Sequence, residues 1–351
     1  MGTGGHLGEG LHRNREGYRL QFGRMLKIGI VGVGFMGKMH GNVYRLLDNA
    51  QLVGCVSKKE ETRRKYAEEF GINAYDSLEA MMAAENVDAI DICLPTYLHK
   101  EFTVAAAGMR KHVFCEKPMA MDTAEADAMT EAAAKNRVQL MIGHCIRFWP
   151  EYAILKQMVA SGQLGRLLSA NFTRYGAFPT WSSDNWLADA SKAGGGVLDM
   201  HIHDTDFAHY LLGKPDSINS WGTVDDRGPS HVFTTMTFGP TIVHLEGGWN
   251  LPAGTPFKHA FRAIFERGVA IMDGGPLTVY EEGKVPMVPE VPKMEATGGG
   301  NISDLGGYYY ELKYFVDKVL AGQPLEVVTP TSSRDSLDMT LEEIRQIKSR
   351  I

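Results

Sequence analysis

From Met25 to Ile142 the sequence alternates short apolar runs with longer mixed segments, at a spacing that few architectures satisfy. The apolar runs Leu26–Val31, Gln51–Val56, Val87–Leu94, His112–Cys115 and Val138–Ile142 read as strands. Between them Phe35–Leu47, Lys59–Phe70 (closed by Gly71), Leu98–Ala107 and Thr123–Asn136 read as helices. Strands separated by whole helices cannot form hairpins, so the pattern predicts an α/β fold with a doubly wound parallel sheet. Near residue 148 the rhythm changes. Helices at Glu151–Ser161 and Val197–Leu212 flank a strand at Leu167–Arg174. Strand candidates then crowd Ser217–Tyr280, parted by turns such as Gly239-Pro240, which predicts a mainly antiparallel second sheet. Two helices, Tyr308–Ala321 and Ser332–Lys348, close the chain, and the Pro- and Gly-rich Lys284–Gly300 reads as a surface loop. A chain of 351 residues divides naturally into two such domains.

Composition removes several functional classes. The net charge is −6, and the densest basic cluster, Arg63-Arg64-Lys65, is ringed by Glu60, Glu61, Glu68 and Glu69. That is a solvated helix face, and no nucleic-acid partner is expected. No apolar stretch reaches 18 residues, so no membrane span is expected. Cys55, Cys93, Cys115 and Cys145 form no CxxC pair, and three of them fall in or at the end of strand-like runs. Buried thiols in a reducing, cytoplasmic compartment are expected rather than disulfides. Residues 1–24 are glycine-rich, carry four arginines and lack an apolar signal core. They read as a disordered tail ahead of a natural start at Met25.

Gly32-Val33-Gly34-Phe35-Met36-Gly37 matches GxGxxG, and it stands where the first strand passes into the first helix. In that setting the pattern marks a Rossmann dinucleotide site. The first glycine permits the turn, the second admits a pyrophosphate, and the third lets helix and strand pack. The following helix offers its N–H groups to the phosphates. The second strand ends in Ser57-Lys58, without the carboxylate that usually holds the ribose of NAD. Either NAD or NADP is expected, with a slight lean to NADP.

Glu116-Lys117-Pro118 follows the fifth strand at its carboxyl end, where open parallel sheets bind ligands. A lysine there suits a substrate oxygen that gains negative charge; a solvated turn is the alternative. Gly194-Gly195-Gly196 leads into a helix on which Asp199 and His203 are four apart and share a face. His203 has the intrinsic pKa for proton exchange near neutrality, and Asp199 beside it would orient the ring. Asp199, His201, His203 and Asp204 also suggest metal ligands. But His201 and His203 point to different sides of a helix, and no HExxH or CxxC pattern is present, so no metal is expected.

Together these motifs resemble the glucose–fructose oxidoreductase / inositol dehydrogenase / MocA (Gfo/Idh/MocA) family, in order and spacing, over nearly the whole chain from Met25. The resemblance implies a Rossmann domain over 25–147 and an α/β domain with a large open sheet over 148–331, used for dimers or tetramers. A final helix, 332–351, would return to the Rossmann domain. It implies Lys117, Asp199 and His203 as the catalytic trio, with Lys117 also binding the dinucleotide. Pro95, Thr96 and His99 would run along the cofactor, and Glu116 would lie near its nicotinamide ribose. Arg147 matches an arginine at the domain junction and joins Tyr175 and Trp186 as candidate substrate contacts. Trp181, Asn185 and Asp189 lie in the same segment as Trp186. The implied activity is an NAD(P)-dependent dehydrogenase acting on a secondary hydroxyl of a sugar, glycoside or cyclic polyol. Two alternatives stand beside it. One is a glycoside-cleaving or isomerising enzyme that recycles a tightly held NAD; the other is a non-catalytic sugar or dinucleotide sensor.

Overall fold

The computed structural model describes residues 24–292 and 305–351. The tail expected over residues 1–24 lies outside the described residues but for Arg24, and so does the 293–300 part of the loop expected at Lys284–Gly300.

The first half follows the predicted alternation. Strands β1 (Leu26–Val31), β2 (Ala50–Val56), β3 (Asn73–Tyr75), β4 (Ala89–Ile92), β5 (His112–Glu116) and β6 (Leu140–Gly143) form one parallel sheet in the order β3-β2-β1-β4-β5-β6. Helices α1 (Phe35–Tyr44), α2 (Glu60–Phe70), α3 (Leu78–Ala84), α4 (His99–Gly108) and α5 (Thr123–Asn136) make the crossovers. β4 and β6 are buried at every position, which is why they read as continuous apolar runs rather than alternating ones. Sequence reasoning missed β3 and α3. Three residues are too few to show a period of two, and the signal for α3 is a single cap. The Ser77 hydroxyl accepts the Ala80 N–H at 3.3 Å.

The second half holds α6 (Pro150–Ser161), β7 (Leu167–Ala177), a short α7 (Ala190–Ala193) and α8 (Ile202–Leu212). β8 (Ser217–Asp225), β9 (Gly228–Phe238), β10 (Thr241–Leu251), β11 (Lys258–Phe265), β12 (Gly268–Asp273) and β13 (Thr278–Glu281) follow. The seven strands order as β13-β12-β11-β7-β10-β9-β8, antiparallel throughout except for β7 beside β10. One face carries Phe172, Leu245 and Phe261 and packs on Tyr152 and Leu155 of α6 and Phe207 of α8. The other face exposes Trp221, Phe233, Ile242, Ile264 and Tyr280.

Two helices knit the halves together. α9 (Gly306–Ala321) lies on the first sheet, with the Phe315 ring 5.6 Å from that of Phe114, although the boundary at 331 would put it with the second. α10 (Pro330–Lys348) lies between them. Its Arg334 pairs with Asp127 of α5, while Gln346 bonds the backbone of Ile218 and Ser220 in β8.

Candidate active site

The carboxyl ends of the parallel strands open into a cleft of about 1420 Å³ that the second half closes from above. The glycine loop forms one end. Gly32 has φ +93°, and a Cβ there would come within 2.5 Å of the Cys93 carbonyl oxygen. A Cβ on Gly37 would collide with the Gly32 carbonyl, so Gly37 serves helix–strand packing and does not line the cleft. A Cβ on Gly34 would meet nothing within 4 Å, and no side chain caps the N-terminus of α1. The first-turn N–H groups are therefore open to the cleft, which is what a pyrophosphate requires. Phe35, Met36, Ser57, Lys58, Pro95 and Thr96 line the same end. The dinucleotide fits this cradle.

His99 departs from expectation. It is buried beneath the cleft, between the carbonyls of Leu94 at 2.7 Å and Pro118 at 2.8 Å. It ties the loops after β4 and β5 together and does not stand among the lining residues.

At the other end Lys117 and Glu116 meet a turn from the second half. Val197–His201 is π-helical, a distortion that recurs at functional sites. Lys117 Nζ donates to the Asp199 carbonyl at 2.7 Å and to its Oδ1 at 3.1 Å. Asp199 therefore partners Lys117, and the expected pairing with His203 is corrected. A helical i, i+4 argument could not anticipate a contact made across 82 residues. His203 still lines the cleft, with its Nδ1 buried and unpartnered. Burial, then the charges of Lys117 and Arg174, hold its pKa well below 6.5, so the ring is neutral.

The other residues of that candidate metal set scatter. His201 is buried, 3.1 Å from Glu343 of α10, and Asp204 pairs with Arg174 at 2.8 Å. The three glycines before the turn serve chain packing. A Cβ on Gly195 would meet the Pro229 carbonyl at 2.5 Å, and one on Gly196 would meet Trp249 at 2.9 Å.

Of the candidate substrate contacts, Trp186 lines the cleft. Tyr175 does not. It shares the parity of Asn171 and points to the outer face, where its ring neighbours His231. Arg147 does not either. It is buried in a fork on Asp206 at 2.6 and 2.9 Å, and also donates to Val327 O and Ser332 Oγ. It holds the junction of the halves, and Asp206 neutralises it away from the cleft.

Sequence reasoning missed Arg174 and His259, neighbours across β7 and β11 that both line the cleft. Strand parity could have found Arg174, since it lies two residues from the buried Phe172. It also missed a strap from the second half. Trp181 lies over Phe35 of the glycine loop with ring centroids 4.7 Å apart, and Asp184 meets Lys59 Nζ at 2.6 Å.

Such a cleft defines a two-domain dinucleotide-binding oxidoreductase architecture. Residues 26–144 match the model of an oxidoreductase family with an NAD-binding Rossmann fold, and residues 152–271 match the GFO/IDH/MocA C-terminal domain. The chain belongs to the Gfo/Idh/MocA family. It is 33% identical over 191 residues to myo-inositol 2-dehydrogenase of Thermotoga maritima, covering 54% of this chain and 55% of that one. It is 32% identical over 222 residues to 2,7-anhydro-N-acetylneuraminate hydratase of Escherichia coli, covering 61% and 59%. The chain thus spans somewhat over half the length of the curated relatives it matches. A levoglucosan dehydrogenase solved with NADH and levoglucosan shares the fold with a TM-score of 0.80 and 22% identity, covering 92% of this chain and 98% of that one.

Proposed function

We propose that the chain is an NAD(P)-dependent dehydrogenase acting on a secondary hydroxyl, or the matching ketone, of a sugar, glycoside or cyclic polyol. The observation that carries this is the meeting of Lys117, Asp199 and His203 in the cleft that opens on the glycine cradle. A bound nicotinamide supplies the partner for hydride transfer. Lys117, fixed by two bonds to Asp199, presents its ammonium to the reacting oxygen and stabilises developing alkoxide charge. The neutral His203 exchanges the hydroxyl proton. Arg174, His259 and Trp186 shape the substrate wall, with Trp186 supplying an aromatic face.

At the adenosine end Ser57 and Lys58 favour NADP, because β2 carries no carboxylate to repel a 2′-phosphate. Asp76, one strand over and also lining the cleft, works against it and keeps the preference modest. The exposed apolar face of the second sheet suits a homodimer or homotetramer. A cytoplasmic setting accords with four free cysteines. Among the described residues no helix is long and apolar enough to cross a membrane.

A second reading has its own support in the strap over the glycine loop and in the relative named a hydratase. A tightly retained dinucleotide would oxidise and then re-reduce the sugar, acidifying a neighbouring C–H in between. One assay separates the two. Purified protein is offered inositols, hexoses, anhydrosugars and glycosides, with NAD and NADP in parallel, while reduced nicotinamide is followed by absorbance and products by chromatography. Net reduction of the dinucleotide supports the dehydrogenase. Product without net reduction supports the recycling enzyme, and absence of dinucleotide binding refutes both.

A further inference from the structure

Beneath Lys117 lies a cluster of titratable groups that the roles proposed above leave unused. His40 projects from α1 into the body of the protein and is fully buried. Its Nδ1 lies 2.8 Å from Asp91 Oδ2 on β4. Its Nε2 lies 3.0 Å from Glu116 Oε1 at the end of β5, an ion-pair contact without hydrogen-bond geometry, and among the described residues both atoms lack a hydrogen-bond partner. The Tyr44 hydroxyl donates to the same Asp91 oxygen at 2.9 Å, and the Cys93 thiol donates to the other at 3.4 Å. Glu116 accepts the Lys117 N–H on its Oε2 at 3.1 Å. Gly143 leaves the space this needs, since a Cβ there would come within 3.1 Å of Glu116 Oε1. A path of polar contacts therefore runs from α1 across β4 and β5 to the residue whose ammonium faces the cleft.

Two carboxyl groups face one imidazole from opposite sides, one in a hydrogen bond and one at ion-pair distance, and that setting favours the ring that carries both protons. Burial opposes that charge, but Asp91 and its hydrogen bond outweigh it and hold His40 well above its ordinary value. From α9, burial and then the Glu116 charge push the Glu311 carboxyl up, so it stays protonated. Burial keeps Tyr44, Tyr66, Tyr308 and Cys93 neutral as well.

We propose that His40 is a positioning residue for the reaction at Lys117: anchored by Asp91, it holds the Glu116 carboxylate in the rotamer that fixes the Lys117 backbone at the floor of the cleft. The inference rests on the proposed dehydrogenase reading for its kinetic consequence, but not for its structural one. The first test is therefore NMR of the full chain carrying isotope-labelled histidine, with His40 assigned by its loss in His40→Gln and its perturbation in Asp91→Asn. Both ring nitrogens should stay protonated from about pH 6 to about pH 8, with and without NAD or NADP. A neutral ring titrating at or below the ordinary histidine value would overturn the proposal. So would a stoichiometric metal on elemental analysis, for which the His40, Asp91 and Cys93 donors are close enough.

The second test is a double-mutant cycle with His40→Gln and Glu116→Gln, on whichever polyol of the panel the wild type oxidises. His40→Gln should lower kcat about tenfold with KM for the polyol nearly unchanged, and the double variant should be no slower than Glu116→Gln alone. Multiplicative losses, or an unchanged kcat, would refute the role. Should no polyol be oxidised, the dehydrogenase reading fails and the NMR result still decides the placement of His40.

Discussion

The two ends of the cleft are built by opposite means. The dinucleotide end is mostly backbone: a glycine turn, the open first turn of α1 and the ends of adjacent strands, all within about a third of the chain. The opposite end is side chains, and they arrive from far apart: Lys117 after β5, Asp199 from a π-turn, Arg174 from β7 and His259 from β11. A backbone site writes its requirement into contiguous residues, since one turn demands glycine at fixed offsets. A side-chain site can be met by any residue that the fold happens to aim inward. The first is accordingly shared across a family, while the second is free to change substrate.

The largest expected break falls at the side-chain end. Lys117→Ala should lower kcat by about 10²–10³-fold while dinucleotide binding, followed by fluorescence, is little changed. His203→Ala should cost on the order of 10²–10⁴-fold with the same separation. Loss of dinucleotide binding in either would mean that the ends are not distinct. Arg147→Ala tests the frame between them. Leaving Asp206 buried without its guanidinium, with only the Ser336 hydroxyl still donating to it, should cost about 3–5 kcal/mol of stability in denaturant melts, with KM for the polyol unaffected in the protein that remains folded. A raised KM would return Arg147 to the substrate site.

Ser57→Asp probes the dinucleotide end by charge alone. The NAD/NADP preference ratio should move toward NAD by about tenfold, and an unmoved ratio would show that Ser57 is not beside the adenosine ribose. The pH profile gives a subtler contrast. Because burial and Lys117 depress His203, the ring stays neutral as pH falls through 6.5. Oxidation should therefore show no histidine-like fall between about pH 7.5 and that value. A fall centred near 6.5 would place a solvated histidine in the rate step. Smallest of all, Tyr175→Ala should leave kcat/KM within about twofold, because the side chain lies on the outer face.

The same contrast explains what was legible beforehand. The strand–helix alternation, the glycine turn and the mainly antiparallel second sheet could be read because each depends on residues near one another in sequence. Residue type alone offers Tyr175 as a substrate contact, whereas parity with Phe172 selects Arg174. Helix geometry is local and pairs Asp199 with His203; the bond from Lys117 to Asp199 is not local. His99 and Arg147 have the right residue types near the right loops, yet the fold turns both inward, to carbonyls and to a carboxylate that only three dimensions supply.

The strap has an optical consequence. Of the five tryptophans, Trp149, Trp181 and Trp186 line the cleft, Trp249 is buried behind it, and Trp221 lies on the open sheet face with the Arg350 guanidinium over its ring. Indole emission from the cleft overlaps the absorbance of a reduced nicotinamide, so arrival of the dinucleotide leaves a signature in the intrinsic fluorescence. Trp221 answers separately to whatever covers the outer sheet. Single Trp→Phe substitutions would divide the protein's own light into one channel for the cleft and another for association.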